Sequence, residues 1–182
     1  GRGGANIGYA KVGLSELIGE AAKFYIQENG GNLLLGRSVS RIVCSESQVT
    51  EVELVGGEVV RGDVYISALP YNVVVETLPK EVLACESLRG ISGLSSSPIV
   101  NVHIWYDRQI MDEEFVAVLD SPLQWVFNKS RILGLSDRVP GQYLCVSISG
   151  AWDYIHQTKE ELQRLFVAAM AEVFPKAVQA RI

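Results

Sequence analysis

At 182 residues, 48% of them apolar and 20% charged, the chain can bury a sizeable core in one or two compact units. Its net charge of −5 offers no basic footprint to a phosphate backbone, so a nucleic-acid partner is set aside. No apolar run approaches the roughly 18 residues of a membrane span, and the start Gly1-Arg2-Gly3-Gly4 lacks the apolar stretch of a signal peptide, so a cytoplasmic setting is expected.

The glycine-rich segment 1–8 reads as an approach loop rather than a phosphate cradle, because no strand precedes it and its spacing is not Gly-x-Gly-x-x-Gly. Leu14, Leu17, Ile18, Ala21, Ala22, Tyr25 and Ile26 fall on the i, i+3, i+4, i+7 stripe of an amphipathic helix, which Asn29-Gly30-Gly31 ends. Residues 32–35 and 64–69 are continuous apolar runs, expected as strands buried on both faces of one sheet. Between them, 38–44, 49–55 and 58–61 predict an antiparallel meander, with Ser45-Glu46-Ser47-Gln48 and Gly56-Gly57 as its turns. Pro70 stops the second apolar run, helical pieces follow at 72–78 and 81–88, and Ser95-Ser96-Ser97-Pro98 marks a change of texture.

Beyond that break, 99–106, 115–119, 123–128 and 143–149 are β-rich at hairpin-like spacings and predict a mainly antiparallel sheet. Thr158-Lys159-Glu160-Glu161 has the form of a capping box. It precedes a helical stripe of Leu162, Leu165, Phe166, Ala169, Met170, Val173 and Phe174, which Pro175 ends. Residues 176–182 add no closing element, so the chain is expected to be part of a longer polypeptide.

Cys44, Cys85 and Cys145 are far apart and form no Cys-x-x-Cys pair, so reduced, buried thiols are expected. With His103 and His156 as the only imidazoles, no metal site is expected. Strand periodicity puts Val100, Val102, Ile104 and Tyr106 on one face, and Asn101, His103, Trp105 and Asp107 on the other. Leu123, Trp125 and Phe127 likewise share a face, with Gln124 opposite. A wall of Trp and Phe with a few polar groups would hold a long hydrocarbon through burial of apolar area; the same aromatics could instead fill the domain core. His103 reads equally as a hydrogen-bonded structural histidine, and Asp112-Glu113-Glu114 as a solvated turn. No side chain is assigned as a catalyst.

The order of these elements (helix, Gly-Gly, apolar strand, Val39-x-x-Ile42, meander, Asp63-Val64-x-Ile66-x-Ala68-x-Pro70) resembles the middle of the FAD-dependent amine oxidase superfamily. Ser97-Pro98-Ile99-Val100-Asn101-Val102-His103-Ile104-Trp105-Tyr106-Asp107-Arg108 and Gln124-Trp125-Val126-Phe127 resemble its phytoene desaturase and squalene-associated, hydroxysqualene dehydroxylase-like branch. The resemblance implies an α/β (α+β mixed) chain. Residues 1–94 would be part of a two-dinucleotide-binding-type FAD domain with a β-meander. Residues 95–182 would be a mainly antiparallel substrate-domain sheet with a packed helix.

It further implies FAD in the full-length parent, with Val39 holding the adenine edge through its backbone and Ala68, Leu69 and Pro70 beside the nucleotide. His103, Trp105, Trp125 and Phe127 would line the substrate site. The implied activity is oxidoreduction of an apolar isoprenoid, by desaturation or dehydroxylation. Peripheral membrane contact of the parent is compatible with such a substrate, and the fragment alone is expected to be inactive. A flavin amine oxidase acting on a polar amine, or a non-catalytic lipid- or protein-binding module, are the alternatives. Oligomeric state stays open.

Overall fold

A computed structural model describes residues 7–46, 48–136 and 138–182. Residues 1–6 of the expected approach loop, and Ser47 of the expected first meander turn, lie outside the described residues. The chain divides into two compact units: Ile26–Ser96, and the residues up to Tyr25 together with Ser97–Ile182.

In the first unit, β1 (Val39–Ser45), β2 (Gln48–Leu54) and β3 (Val59–Val60) form the antiparallel meander in the order β1-β2-β3. Gly56 and Gly57 take φ of +102° and +87° between β2 and β3, a conformation that a side chain would strain. After the meander come α2 (Tyr71–Thr77), which packs against β1, and the short α3 (Lys80–Leu83). Ile42, Leu54, Val74 and Thr77 are the buried residues described in this unit.

Residues 32–35 and 64–69 are not strands. They run without ladder partners, and Leu35 and Ile66 are 73% and 92% exposed. A continuous apolar run becomes a buried strand only where strands flank it on both sides, and the meander's sheet stops at its own three strands, with the Tyr65 hydroxyl donating to the Thr50 carbonyl of β2 at 2.7 Å through its side chain alone. The expectation that Leu33 and Ile66 share a sheet is therefore overturned.

In the second unit, β4 (Ile99–Tyr106), β5 (Phe115–Ala117), β6 (Trp125–Asn128) and β7 (Gln142–Ser149) make an antiparallel sheet in the order β4-β7-β6-β5. One face lies under α5 (Lys159–Val173). There Ile104, Tyr106, Val126, Leu144, Val146 and Ile148 form a continuous core with Phe166, Ala169 and Met170. Fully burying a side chain such as Phe166 contributes about 1.5–3 kcal/mol. The capping box is formed: Thr158 Oγ1 accepts from the Glu161 N–H at 3.2 Å, and the Glu161 carboxylate accepts from the Thr158 N–H at 2.8 Å.

The β6–β7 connection holds α4 (Lys129–Ile132) and Gly141, whose φ of +85° and close approach exclude a side chain: a Cβ there would sit 2.0 Å from the Tyr106 carbonyl oxygen. The first predicted helix forms as a π turn (Ser15–Gly19) running into α1 (Glu20–Glu28), but Leu14, Leu17, Ile18 and Tyr25 on its stripe are exposed. No helix among the described residues is long and apolar enough to cross a membrane.

Three local expectations are also corrected. Leu123 is fully buried before β6 begins, apart from the half-buried Trp125 and Phe127. Cys85 is exposed in the turn after α3, while Cys145 is buried and Cys44 half-buried. Glu114 is not simply solvated: half-buried, it accepts a hydrogen bond from the Tyr9 hydroxyl and pairs with Lys11 at 3.7 Å.

Candidate functional site

Antiparallel register carries residues directly opposite one another onto the same face of a sheet. His103 stands opposite Cys145, Cys145 opposite Phe127, and Phe127 opposite Phe115. On the same face, Trp105 stands opposite Tyr143 to one side of this row, and Trp125 stands between Ser147 and Ala117 to its other side. His103, Trp105, Trp125 and Phe127 are therefore brought together on the face away from α5, and none of them fills the core.

Trp105 stacks on Tyr143 with centroids 4.3 Å apart and planes 3° from parallel. Phe115, Trp125 and Phe127 are mutual neighbours at 6.1–6.2 Å. Tyr9 meets Phe115 edge-on at 5.7 Å and extends the aromatic surface. Such ring pairs contribute about 0.5–1.5 kcal/mol beyond the area they bury. His103 Nδ1 and the Tyr143 hydroxyl share a hydrogen bond of 2.7 Å, and with Asn101 and Ser147 they are the polar groups of a surface on which β4 to β7 place no ionised side chain. Burial pushes the Tyr143 phenol up from its ordinary value, with the neighbouring Cys145 adding to it, so the hydroxyl keeps its proton. Burial likewise raises the Cys145 thiol, keeping it an apolar filler between His103 and Phe127.

Tyr143, Phe115 and Cys145 were not identified from sequence as part of this wall. The available signal was alternation within residues 143–149, which needs the β7 register before it assigns a face. Gln124 sits at the rim: its amide donates to the Ser149 carbonyl at 3.0 Å and accepts from the Ser149 N–H at 2.8 Å.

The cofactor residues implied by resemblance lie in the other unit. The Val55 N–H donates to the Ser38 carbonyl at 2.8 Å, so Ser38 faces β2 and Val39, one residue on, turns its N–H and C=O away from it. On an edge strand, that donor and acceptor side by side fit the edge of an adenine ring. Ala68 and Pro70 are exposed and Leu69 is half-buried on the extended approach to α2, where the Pro70 carbonyl accepts from the Val74 N–H at 3.0 Å. The described residues thus fit the adenine end of a dinucleotide, and the sequence contains no Gly-x-Gly-x-x-Gly cradle for its phosphates. Among the described residues, no group of three His, Cys, Asp or Glu side chains is placed to hold a metal.

The chain is 25% identical over 162 residues to a 15-cis-phytoene desaturase of Synechococcus elongatus, covering 84% of this chain and 34% of that protein. It is 24% identical over 159 residues to the chloroplastic/chromoplastic 15-cis-phytoene desaturase of Glycine max, covering 86% and 28%. It therefore spans about a third of the length of these relatives. Among solved structures, an oxidoreductase from Methanosarcina mazei matches with a TM-score of 0.67 at 17% identity, over 86% of this chain and 38% of that one. A Pyrococcus furiosus protein matches with a TM-score of 0.66 at 14% identity, over 89% and 39%. These two likenesses establish the fold. The model of the flavin containing amine oxidoreductase family matches residues 2–181, and the chain belongs to that family.

Proposed function

We propose that this chain is the adenine-side and substrate-sheet portion of a longer FAD-dependent oxidoreductase acting on an apolar isoprenoid, of the phytoene desaturation type. The observation that carries the reading is the aromatic face itself: Trp105, Tyr143, Phe127, Trp125 and Phe115 on one side of one sheet, with no ionised side chain among them. A hydrocarbon guest has no polar handle, so apolar area and ring faces supply its binding energy. The phytoene desaturase relatives support an isoprenoid over a polar amine.

Bound flavin would supply the redox chemistry. This chain's residues would hold the adenine through the Val39 backbone, let the nucleotide approach along Ala68, Leu69 and Pro70, and lay the guest along His103, Trp105, Trp125 and Phe127. The His103–Tyr143 pair would fix the orientation of the Tyr143 ring under the Trp105 stack.

Phytoene in detergent micelles is expected to quench the fluorescence of this chain, and the double variant Trp105→Ala/Phe127→Ala to weaken that binding at least about tenfold. Equal affinity in the double variant would overturn the substrate reading. The complete open reading frame is expected to purify yellow with FAD. Val39→Pro, which removes the backbone donor, should lose the colour, while Val39→Ala keeps it. A colourless complete protein after FAD reconstitution would overturn the cofactor reading.

A further inference from the structure

The acidic run Asp112-Glu113-Glu114 leads into β5, and of the three only Glu114 is half-buried. Two side chains of the segment 7–12 meet it there. The Tyr9 hydroxyl donates to its carboxylate, and Lys11 pairs with it at 3.7 Å. Tyr9 is itself half-buried, while Gly8 before it and Lys11 after it are exposed.

The Glu114 carbonyl accepts from the Asn128 N–H at 2.8 Å and so continues the β5–β6 ladder one residue before Phe115. Consecutive residues of an extended strand point to opposite faces, so Phe115 lies on the aromatic face and the Glu114 side chain leaves toward the other. Tyr9 meets both. Its ring approaches Phe115 edge-on at 5.7 Å and its hydroxyl reaches Glu114, so the side chain spans the edge of β5.

The planes of Phe115, Trp125 and Phe127 lie within 17–43° of one another, whereas Tyr9 is turned 70° from Phe115. Three rings thus make a floor, and Tyr9 stands across it at the β5 side. A hydrocarbon lying in that corner is contacted on two sides and buries more of its area than on the floor alone. The one polar atom of the Tyr9 side chain is held by Glu114, which leaves the ring carbons to the guest. The same bond raises the Tyr9 phenol and lowers the Glu114 carboxyl from their ordinary values, so at neutral pH the phenol donates and the carboxylate accepts.

We propose that Tyr9 is a further guest-binding residue of the aromatic face, closing it at the β5 side, and that Glu114 is the residue that positions its ring. This role rests on the reading of the face as an isoprenoid surface. It brings a residue from before the first helix into a site otherwise built from β4 to β7.

The test is phytoene quenching in detergent micelles on the intact chain. Tyr9→Ala is expected to weaken binding about three- to tenfold. Glu114→Ala, which frees the hydroxyl, should lose affinity in the same direction, and Glu114→Gln, whose amide oxygen still accepts, should restore it; the tryptophan unfolding transition verifies that each variant is folded at the assay temperature. A chain with 3-fluorotyrosine in place of Tyr9 gives a direct readout that needs no loss of side chain. Its fluorine resonance should move or broaden when phytoene is added, relative to empty micelles. Wild-type affinity in Tyr9→Ala, or a fluorine signal indifferent to phytoene, would overturn the guest contact, and equal losses in Glu114→Ala and Glu114→Gln would overturn the positioning role. The double variant Trp105→Ala/Phe127→Ala separates this from the reading beneath it. Unchanged binding there removes the isoprenoid surface and the role of Tyr9 with it, whereas weakened binding there with none in Tyr9→Ala removes the role of Tyr9 alone.

Discussion

Gln142 anchors the connection between β4 and β5. Its carbonyl oxygen accepts from the N–H groups of Ile110 and Met111 at 2.7 and 3.1 Å, and its amide donates to the Met111 carbonyl at 2.8 Å. At 5% exposure, no water can replace it readily. Gln142→Leu orphans two buried donors, each costing about 1–3 kcal/mol, so a loss of at least about 2 kcal/mol is expected from urea unfolding. Asp107 works at the surface instead. Hydrogen bonds from Arg108 first, then Arg181, hold its carboxyl well below the usual carboxylate range. A carboxylate with a depressed folded-state pKa stabilises fully above its unfolded value of about 3.9, and that contribution fades as the pH falls below it. Asp107→Asn is therefore expected to be less stable than wild type at about pH 7, with the gap narrowing toward about pH 3. Urea midpoints that differ equally at both pH values would refute the assignment.

At the scale of elements, α5 is held by its cap and by one apolar stripe. Thr158→Ala removes the acceptor for the Glu161 N–H and should cost about 1 kcal/mol, with Thr158→Ser losing little. Phe166→Ala empties the centre of the core and should cost about 3–5 kcal/mol. Thermal unfolding of the three variants gives the order directly; a Thr158→Ala loss equal to that of Phe166→Ala would mean the cap is not the local contribution it is taken for.

These elements were legible in the sequence because their signals are local. Thr158 and Glu161 lie one turn apart, β4 alternates cleanly, and Gly56-Gly57 permits one kind of turn. Segments 32–35 and 64–69 were misread because an apolar run reports hydrophobicity but not the strands it would need on either side. The aromatic face was half legible for the same reason. Trp105 and Phe127 each declare a face of their own strand, but only the β7 register joins those faces and brings in Tyr143.

Across the whole molecule, the two units differ sharply in what holds them. The sheet unit has a continuous core running from β4 through β7 to α5, whereas the meander unit relies on Ile42, Leu54, Val74 and Thr77. Small cores leave little margin over chain entropy, so the meander unit should open first on heating. The chain carries its own reporters for this. All three tryptophans, Trp105, Trp125 and Trp152, belong to the sheet unit, and amide exchange in β1 and β2 reports the other. Leu54→Ala removes a buried side chain at a cost of about 2–5 kcal/mol. If the units hold themselves independently, exchange in β1 and β2 will accelerate by orders of magnitude while the tryptophan unfolding midpoint stays where it was. Should the tryptophan transition fall in step with β1 and β2, the chain unfolds as one cooperative body and its division into two units has no energetic meaning.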